Sequence, residues 1–240
     1  MSKRTWVIIG ATSIIAEEFA HCAAKEGNAL RLVGRDTEQL HLIARDLELR
    51  YHVPCDAIVM DFTQPPHELL SVFKQNDQEL DLFIAHSDFT ENEHLTPQSI
   101  TQLIQVNVLA TTVLIQAYLN RNQEKYHLIF LSSVAACRGR KKNSLYGGSK
   151  AAIEVYLQGL QQAAPSDQHI TVVRLGFIDT RQTYGLAGIF YAAPPKDCAK
   201  LCWKLHTTNK NMTYFPKFWR IIMGIVTRIP FFLYKRMSSM

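Results

Sequence analysis

Residues 5–16 read TWVIIGATSIIA, and this stretch decides how the chain begins to fold. The apolar run Thr5–Ile9 is typical of a strand buried on both faces, and Gly10 suits the tight turn at which the chain leaves it. The residues after Gly10 begin a helix, so their backbone amides can face an anion such as a pyrophosphate. An ordinary strand-to-helix turn would have the same pattern.

Short apolar runs and longer stretches of helical periodicity alternate along most of the chain. Further strand-like runs cover residues 29–33, 57–60, 82–85, 127–131 and 171–175. Helical stretches lie near residues 13–26, 37–50, 66–75, 97–121 and 145–163. Repeated βα units predict an α/β fold with a doubly wound parallel sheet of the Rossmann-like type. We expect one such domain over residues 1–208 and a basic amphipathic tail over 209–240.

The composition is that of an ordinary globular protein. Of the 240 residues 47% are hydrophobic and 20% charged, so one domain can bury a core and nothing indicates disorder. The five cysteines form no repeated CxxC pair, which argues against a disulfide framework or a zinc site and fits a reducing cytoplasm. We therefore expect no metal. Because no eighteen apolar residues follow one another, we expect no ordinary transmembrane helix.

The end of the second strand bears on the choice of cofactor. A dinucleotide with a bare ribose usually meets an acidic residue here, whereas a 2′-phosphate needs a cation. Gly34 leaves room and Arg35 offers a planar set of donors, which favours NADPH. Asp36 could reach a ribose hydroxyl, so NADH stays open. Asp61, just past the third strand, could bond an adenine ring or cap the next turn.

The strongest pattern combines Ser133, Tyr146 and Lys150. Tyr146 and Lys150 are four residues apart at a predicted helix start, and hence lie on one helix face. A nearby ammonium lowers the pKa of a tyrosine, which can then donate the proton that carbonyl reduction needs as hydride arrives. Ser133 follows a buried strand, so its hydroxyl should lie at the same sheet edge. An amphipathic helix with a chance YxxxK spacing is the alternative.

These features occur in an order that resembles the short-chain dehydrogenase/reductase family over roughly residues 5–205. The matching pieces are the Gly10 turn, Asp61, Asn107, Leu131-Ser132-Ser133, Tyr146-x-x-x-Lys150 and the segment 174–180. The spacing from Ser133 to Tyr146 is the one usual in that family.

The resemblance implies a role for each of these residues. Tyr146 would be the acid/base, Ser133 would orient the carbonyl, and Lys150 would bind the ribose and tune the tyrosine. Asn107 would hold a water molecule of the proton relay. The cofactor would be bound by Gly10, Thr12, Ser13, Ile15, Arg35, Asp61, Ala85, Tyr146, Lys150, Ile178 and Thr180.

The chain also departs from the family pattern. Ile14 and Ala16 stand where glycines are usual. Alanine still permits close helix packing, whereas Ile14 should alter the approach to the pyrophosphate. Residues 85–88 read AHSD in place of Asn-Asn-Ala-Gly, beside the cofactor, and Leu175 replaces a proline. Because the catalytic set is complete, we expect an active enzyme.

The tail is basic and amphipathic. No acidic residue follows Asp197, whereas eight lysines and arginines do. Within residues 217–229 an apolar stripe is formed by Phe218, Ile221, Ile222, Ile225 and Ile229 and is widened by Trp219, Met223 and Val226. Such a segment suits a bilayer interface and predicts peripheral membrane contact through residues 217–236. Packing on the domain or on a second subunit is the alternative; we expect no nucleic-acid partner.

The glycine turn and the tail together look similar to bacterial family members that reduce a keto-sugar on a polyprenyl phosphate carrier. The leading hypothesis is therefore an NAD(P)-dependent oxidoreductase that reduces a carbonyl of a lipid-linked or otherwise hydrophobic substrate, in the cytoplasm or at the inner face of the membrane. The alternatives are a soluble reductase of acyl, steroid or xenobiotic carbonyls and a nucleotide-binding regulator without turnover. Residues 181–195 would form a substrate lid. The family usually pairs through helices such as 97–121 and 145–163, so a homo-oligomer is expected.

Overall fold

The computed structural model describes residues 4–73, 79–180 and 191–237, and its centre is a seven-stranded parallel sheet. The strands are β1 Thr5–Ile9, β2 Ala29–Gly34, β3 Cys55–Val59, β4 Leu80–Ile84, β5 Tyr126–Ser133, β6 Gln168–Leu175 and β7 Met212–Phe215. Their order is β3-β2-β1-β4-β5-β6-β7, with every pair parallel. Strands β1 to β3 follow one another toward one edge of the sheet, and strands β4 to β7 follow one another toward the other edge. Ligands of such sheets bind at the carboxyl ends of the strands where this order reverses, which here is between β1 and β4.

Helices flank the sheet and confirm the predicted doubly wound α/β fold. They are α1 Ile14–Lys25, α2 Thr37–Tyr51, α3 Pro66–Leu69, α4 Pro97–Ile104, α5 Thr111–Leu119, α6 Ser144–Ala163, α7 Pro195–Leu205, α8 Trp219–Val226 and α9 Phe231–Tyr234. A π-helical turn, Gln105–Ala110, joins α4 to α5. The six predicted strands and four of the five predicted helical stretches are present with small shifts at their ends. The fifth stretch, 66–75, is α-helical only over Pro66–Leu69 and continues as a 3-10 turn over Leu70–Val72. The sequence prediction missed β7 and α7.

The side chains of β1 point alternately to the two faces of the sheet, and each face has its own hydrophobic core. Trp6 and Ile8 pack in a cluster with residues of α1, α2 and α7 on one face of the sheet. Val7 and Ile9 pack with residues of α5 and α6 on the other face. All four side chains are buried, so each face is fully covered. The functional surface must therefore lie at the ends of the strands.

The helical stretch Pro97–Leu119 is, among the described residues, the one that is long and apolar enough by length and composition to cross a membrane. Its mean hydropathy reaches 1.4. However, Ala110, Leu114 and Ile115 are fully buried in the second core cluster. The stretch is therefore placed as a core helix of the sheet domain.

The chain after residue 208 first adds a strand to the sheet. β7 pairs with β6 from Val172 opposite Met212 to Leu175 opposite Phe215. The domain boundary predicted at residue 208 therefore needs correction, because residues 212–215 belong to the sheet. The strand escaped prediction because its four residues are all partly exposed and show no alternation of apolar and polar residues.

Helix α8 is shorter than the predicted stretch 217–229, and its apolar side is divided. Trp219, Met223 and Val226 are buried against Val134, just after the end of β5. Ile221 and Ile225 are instead 69% and 63% exposed. Trp219, Met223 and Val226, which the sequence placed at the margin of the apolar stripe, therefore hold α8 on the domain. Ile221 and Ile225, which belong to the stripe itself, face outward.

Candidate active site

The turn between β1 and α1 is restricted to glycine and presents free amides. Gly10 has a φ of 79°, which favours glycine, and a Cβ there would lie 2.6 Å from the backbone nitrogen of His86. Ser13 caps α1 by accepting a hydrogen bond from a first-turn amide. The amides of Ile14 and Ile15 have no hydrogen-bond partner among the described residues. Two such amides at a helix N-terminus fit a pyrophosphate.

The residues that replace family glycines leave this turn intact. Ile14 is 46% exposed, so its side chain does not pack into the turn. Ala16 is fully buried, as close packing of the helix requires. The methyl group of Thr12 lies 3.6 Å from the position that a Cβ on Gly34 would occupy, so the turns after β1 and β2 adjoin. An effect of Ile14 on pyrophosphate binding stays a prediction.

The ends of β2 and β3 carry the residues that bear on cofactor choice. Arg35 is exposed and makes no hydrogen bond or ion pair with the described part of the chain. The carboxylate of Asp36 caps α2 by accepting the amide of Gln39 at 3.0 Å. Asp61 similarly caps the next turn, accepting the amide of Thr63 at 2.9 Å. Both carboxylates have a structural role, whereas the Arg35 guanidinium is available to an anion.

Ser133, Tyr146 and Lys150 come together at the carboxyl end of β5 and the first turns of α6. Ser133 ends β5, and its hydroxyl oxygen accepts a backbone amide from the following turn at 3.1 Å. The hydroxyl groups of Ser133 and Ser87 lie near enough to the phenol of Tyr146 to act on its pKa. The ring of Phe89 packs edge-on against Tyr146, with 5.0 Å between the ring centroids. The phenol therefore lies near two hydroxyl groups and beside an aromatic ring.

The pKa of Tyr146 is shifted in the direction opposite to the one expected from the sequence. Burial raises the pKa of Tyr146, and the hydroxyls of Ser87 and Ser133 oppose this shift. Lys150 is not among the groups that shift this pKa, and the lowering expected from Lys150 stays a prediction. The Lys150 ammonium donates instead to the carbonyl oxygen of Leu131 at 3.1 Å. A four-residue spacing brings the two side chains to one helix face but does not direct the flexible lysine toward the phenol.

Lys150 is the buried cation of the site, with 3% of its surface exposed. Burial lowers the pKa of Lys150 to about 8, against the opposing effect of the Glu154 carboxylate one turn away. Glu154 is itself held by an ion pair with Arg174 at 2.5 Å and by the hydroxyl of Ser132 at 2.6 Å. An ammonium that titrates near pH 8 can exchange protons at the working pH of an enzyme.

Asn107 lies on the π-helical turn and clamps the segment after β4. Its Oδ1 accepts the amide of Asp88 at 2.7 Å, and its Nδ2 donates to the Asp88 carbonyl at 2.8 Å. The same Nδ2 donates to the hydroxyl of Ser149 at 3.0 Å. Both N–H donors of the amide are therefore engaged. A role in holding a relay water stays a prediction.

His86 anchors the same segment to the π-helical turn. Its Nε2 lies 3.1 Å from both the carbonyl oxygen of Val106 and the hydroxyl of Thr111, and its ring stacks on Phe62. Burial, assisted by nearby cations, lowers the pKa of His86 to about 3, so the ring is neutral. Nδ1 is buried without a hydrogen-bond partner among the described residues.

The remaining predicted cofactor residues lie at the same edge of the sheet. The amide of Ala85 donates to the last carbonyl of β1 at 2.8 Å. Ile178 is buried and forms an isolated β-bridge with Ala193. Thr180 is partly buried and directly follows this bridged segment. The lid predicted over residues 181–195 falls mostly outside the described residues.

A surface cluster brings three groups of metal-ligand type together. Ligand atoms of Glu91, Glu93 and His94 lie within 4.8 Å of one another. Glu91 is paired with Lys142 at 2.9 Å, and the other two side chains are exposed. Exposed acidic groups often cluster in this way without a metal, so the expectation of no metal stays a prediction.

Sequence reasoning did not assign three residues of the site, namely Ser87, His86 and Phe89. All three follow β4. The available signal was the departure from the family pattern at residues 85–88, which indicated only that local binding details would differ.

A parallel sheet of this order, with an anion-binding turn after β1 and a serine, tyrosine and lysine at its carboxyl edge, defines an oxidoreductase of the Rossmann type. The sequence profile of the family described as short chain dehydrogenase matches residues 4–186. The chain belongs to this family of oxidoreductases.

Relatives and solved structures agree with this assignment. The chain is 28% identical over 193 residues to an uncharacterized oxidoreductase of Staphylococcus epidermidis, covering 77% of this chain and 82% of the relative. The fold is similar to a short-chain dehydrogenase from Sphingobium yanoikuyae in complex with NADPH (TM-score 0.79, 21% identity, 95% and 96% coverage). It is also similar to L-sorbose reductase from Gluconobacter frateurii complexed with NADPH and L-sorbose (TM-score 0.76, 19% identity, 89% and 95% coverage). At these identities the structural likeness shows the fold.

Proposed function

We propose that the protein is an NADPH-dependent reductase that converts a carbonyl group to an alcohol. The observation that carries this proposal is the position of Tyr146 and the buried Lys150 in the first turns of α6, beside Ser133 at the carboxyl end of β5. When bound, NADPH supplies the hydride. Tyr146 donates its proton to the nascent alkoxide, and Ser133 donates a hydrogen bond to the same oxygen.

The test of this mechanism is Tyr146→Phe, which removes the proton donor and keeps the ring. Turnover of a reducible carbonyl compound, followed by loss of NADPH absorbance, should fall at least about a hundredfold. NADPH affinity should change little, because the phenylalanine fills the same space. Turnover that survives the change would contradict the role of Tyr146, and an unmodified chain that binds NADPH without reducing any carbonyl would favour the regulator.

The preference for NADPH is supported by charge at the end of β2. The guanidinium of Arg35 has no hydrogen-bond or ion-pair partner within residues 4–73, 79–180 and 191–237, whereas the Asp36 carboxylate is engaged in capping α2. The dehydrogenase from Sphingobium yanoikuyae and the L-sorbose reductase hold NADPH in their structures. A cation at this position suits the 2′-phosphate that distinguishes NADPH from NADH.

Arg35→Ala tests the cofactor assignment. Loss of a charge-assisted contact should weaken NADPH binding roughly tenfold to a hundredfold and leave NADH binding nearly unchanged. Arg45→Ala, which removes an exposed arginine from α2, is the matched control and should affect neither cofactor. An equal loss for both cofactors in Arg35→Ala would contradict the assignment.

The substrate that we propose is a hydrophobic or lipid-linked carbonyl compound, such as a keto-sugar on a polyprenyl phosphate, met at an anionic membrane surface. The outer side of α8 and α9 exposes Ile221, Ile225, Phe231 and Phe232. Exposed cations flank these side chains, and no acidic residue follows Asp197. Exposed apolar side chains with one-signed basic neighbours suit the headgroup region of an anionic bilayer.

This outer surface is directly connected to the catalytic edge of the sheet. Trp219 packs so closely on Gly176 that a Cβ on that glycine would lie 1.9 Å from the indole nitrogen. Arg138, in the loop after Ser133, donates to the carbonyl oxygen of Val226 at the end of α8. A membrane bound by α8 and α9 would therefore lie next to the walls of the active site.

Co-sedimentation with vesicles tests the membrane contact. The full chain should sediment with vesicles that contain phosphatidylserine, less so at higher salt, and not with pure phosphatidylcholine. The double variant Ile221→Ser with Phe231→Ser should lose this binding, whereas Leu49→Ser, an exposed leucine on α2, should keep it. Point variants are needed because a truncation at residue 208 would remove β7 from the sheet.

If the double variant sediments like the unmodified chain, the membrane proposal fails. A soluble carbonyl reductase then becomes the better function, and the packing of Trp219 and Met223 on the domain favours it specifically. In either case we propose a homo-oligomer that pairs through α4 to α6. The exposed apolar side chains Ile104, Leu109 and Val155 lie on this stretch and suit a subunit contact.

A further inference from the structure

A row of polar side chains crosses the sheet at the amino ends of its strands, opposite the catalytic edge. The strand pairing sets His127 of β5 beside His169 of β6. Leu82 of β4 lies opposite Leu128 of β5, so Asp81 and His127, each one residue earlier, are neighbours as well. Their side chains meet, with 2.9 Å between Asp81 Oδ1 and His127 Nδ1. Three adjacent strands therefore bring one carboxylate and two imidazoles together.

A third imidazole covers this row from outside the sheet. His206 directly follows α7, and its ring centroid lies 6.1 Å from that of His127. The ring centroids of His127 and His169 are 5.5 Å apart. Two imidazoles that share one tetrahedral Zn²⁺, with Zn–N bonds of about 2.0–2.1 Å, have ring centroids roughly 5–6 Å apart. All three rings are partly exposed, so the cluster is open to solvent, and His127 is spaced from both neighbours as a shared ligand would be.

Each imidazole has a ring nitrogen that can bind an ion. Asp81 is 1% exposed, and its carboxylate accepts from Nδ1 of His127. Such a carboxylate fixes the proton on one ring nitrogen and leaves the lone pair of the other for a metal, as is usual for zinc-bound histidines. Nδ1 of His206 contacts the carbonyl oxygen of Trp203, which leaves its Nε2 in the same way. His169 makes no hydrogen bond or ion pair with the described part of the chain.

The cluster is suited to a metal in charge and needs a turn of its rings. Burial lowers the pKa of His169 and of His206, so both rings are neutral at pH 7, as ligation requires. Among the described residues, three ligand atoms already lie within 4.8 Å of one another at Glu91, Glu93 and His94, and not in this cluster. The imidazoles must therefore rotate about their Cβ–Cγ bonds, a torsion that is broad in histidine.

We propose that His127, His169 and His206 form a site for a divalent ion of the zinc class, with Asp81 orienting His127. Imidazole donors suit Zn²⁺, whereas Mg²⁺ and Ca²⁺ prefer oxygen ligands. The ion would join the starts of β5 and β6 to the end of α7, so its role is structural and separate from the cofactor edge. The proposal departs from the expectation of no metal, which rests on the cysteines.

Zinc binding to the full chain, without an affinity tag, tests this site. Zn²⁺ alone, titrated in competition with a chromophoric chelator, should bind once per chain with a Kd of about 1 µM or below. His127→Gln, His169→Gln and His206→Gln should each weaken binding at least about tenfold, because each removes a ligand. His94→Gln, which removes the histidine of the surface cluster, is the matched control and should leave the affinity unchanged.

No binding at about 100 µM Zn²⁺ would overturn the proposal. So would an unchanged affinity in any of the three variants, or an equal loss in His94→Gln, since either would indicate an adventitious ion only. If His127→Gln does not fold because Asp81 loses a partner, His169→Gln decides the matter, because its ring has no hydrogen bond to lose among the described residues. Zn²⁺ should also raise the Tm of the unmodified chain and not that of His169→Gln; an equal rise would contradict the site.

Discussion

Replacing Lys150 with methionine should stabilise the fold while it abolishes reduction. Burial lowers the pKa of Lys150 from an ordinary 10.5 to about 8. Because the pKa is lower in the folded chain, the unfolded chain binds the proton more tightly. The resulting loss of stability is complete below pH 8 and disappears as the pH rises toward 10.5. The difference of 10.5 − 8 = 2.5 units corresponds to about 3 kcal/mol at neutral pH.

Part of this gain is offset by a lost contact. Methionine cannot donate to the Leu131 carbonyl, which Lys150 bonds at 3.1 Å, and the loss costs about 1–2 kcal/mol. The carboxylate of Glu154 keeps its partners Arg174 and Ser132, so no buried charge is left unpaired. The net gain in the free energy of unfolding should be about 1–2 kcal/mol at pH 7, or roughly 5 °C in Tm.

Urea unfolding of the cofactor-free chain, followed by circular dichroism, measures this gain. Between about pH 7 and pH 9 the gain should shrink by about 1 kcal/mol, because the unmodified chain loses its penalty as Lys150 deprotonates. Lys141→Met, which replaces an exposed lysine of the neighbouring loop, is the control and should show no such dependence on pH. A variant that is less stable at pH 7, or a gain that does not change with pH, would refute the reasoning.

Two further predictions concern packing and use the same unfolding assay. Gly10→Ala should cost about 2–4 kcal/mol, because it places a Cβ at positive φ against the His86 backbone, whereas Gly159→Ala in open space on α6 should gain about 0.5–1 kcal/mol. Equal effects at the two glycines would contradict the geometry of the turn. Met223→Ala should cost about 2–4 kcal/mol because its side chain is buried, and Ile225→Ala on the outer side of α8 should cost little. A reversed order would show that α8 packs by its other face.

The fold was predictable where a strand is buried on both faces. Near-continuous apolar runs such as Thr5–Ile9 identify parallel strands, and the helices between them are long enough to show a period of 3.6 residues. β7 was not predictable in this way, because four partly exposed residues carry no period. Its place beside β6 depends on contacts between residues about forty positions apart, from Val172 to Met212.

The candidate site was predictable as a set of residues and not as a set of contacts. Spacing places Tyr146 and Lys150 on one helix face, and a strand end places Ser133 beside them. The direction of the lysine side chain depends on a carbonyl group of β5, and the approach of Ser87 and Phe89 to Tyr146 depends on how the segment after β4 packs against α6. Neither relation can be read from local periodicity, because each is set by pairing between distant segments.

The tail shows the same limit. At helical spacing both the Trp219–Met223–Val226 set and the Ile221–Ile225 set are apolar, so the sequence cannot say which one faces the domain. The position of Val134 after β5 decides the matter, because it buries the first set. The second set gains nothing from this packing and stays in water. The contact with an anionic bilayer that we propose would cover this apolar surface and also accept the flanking cations.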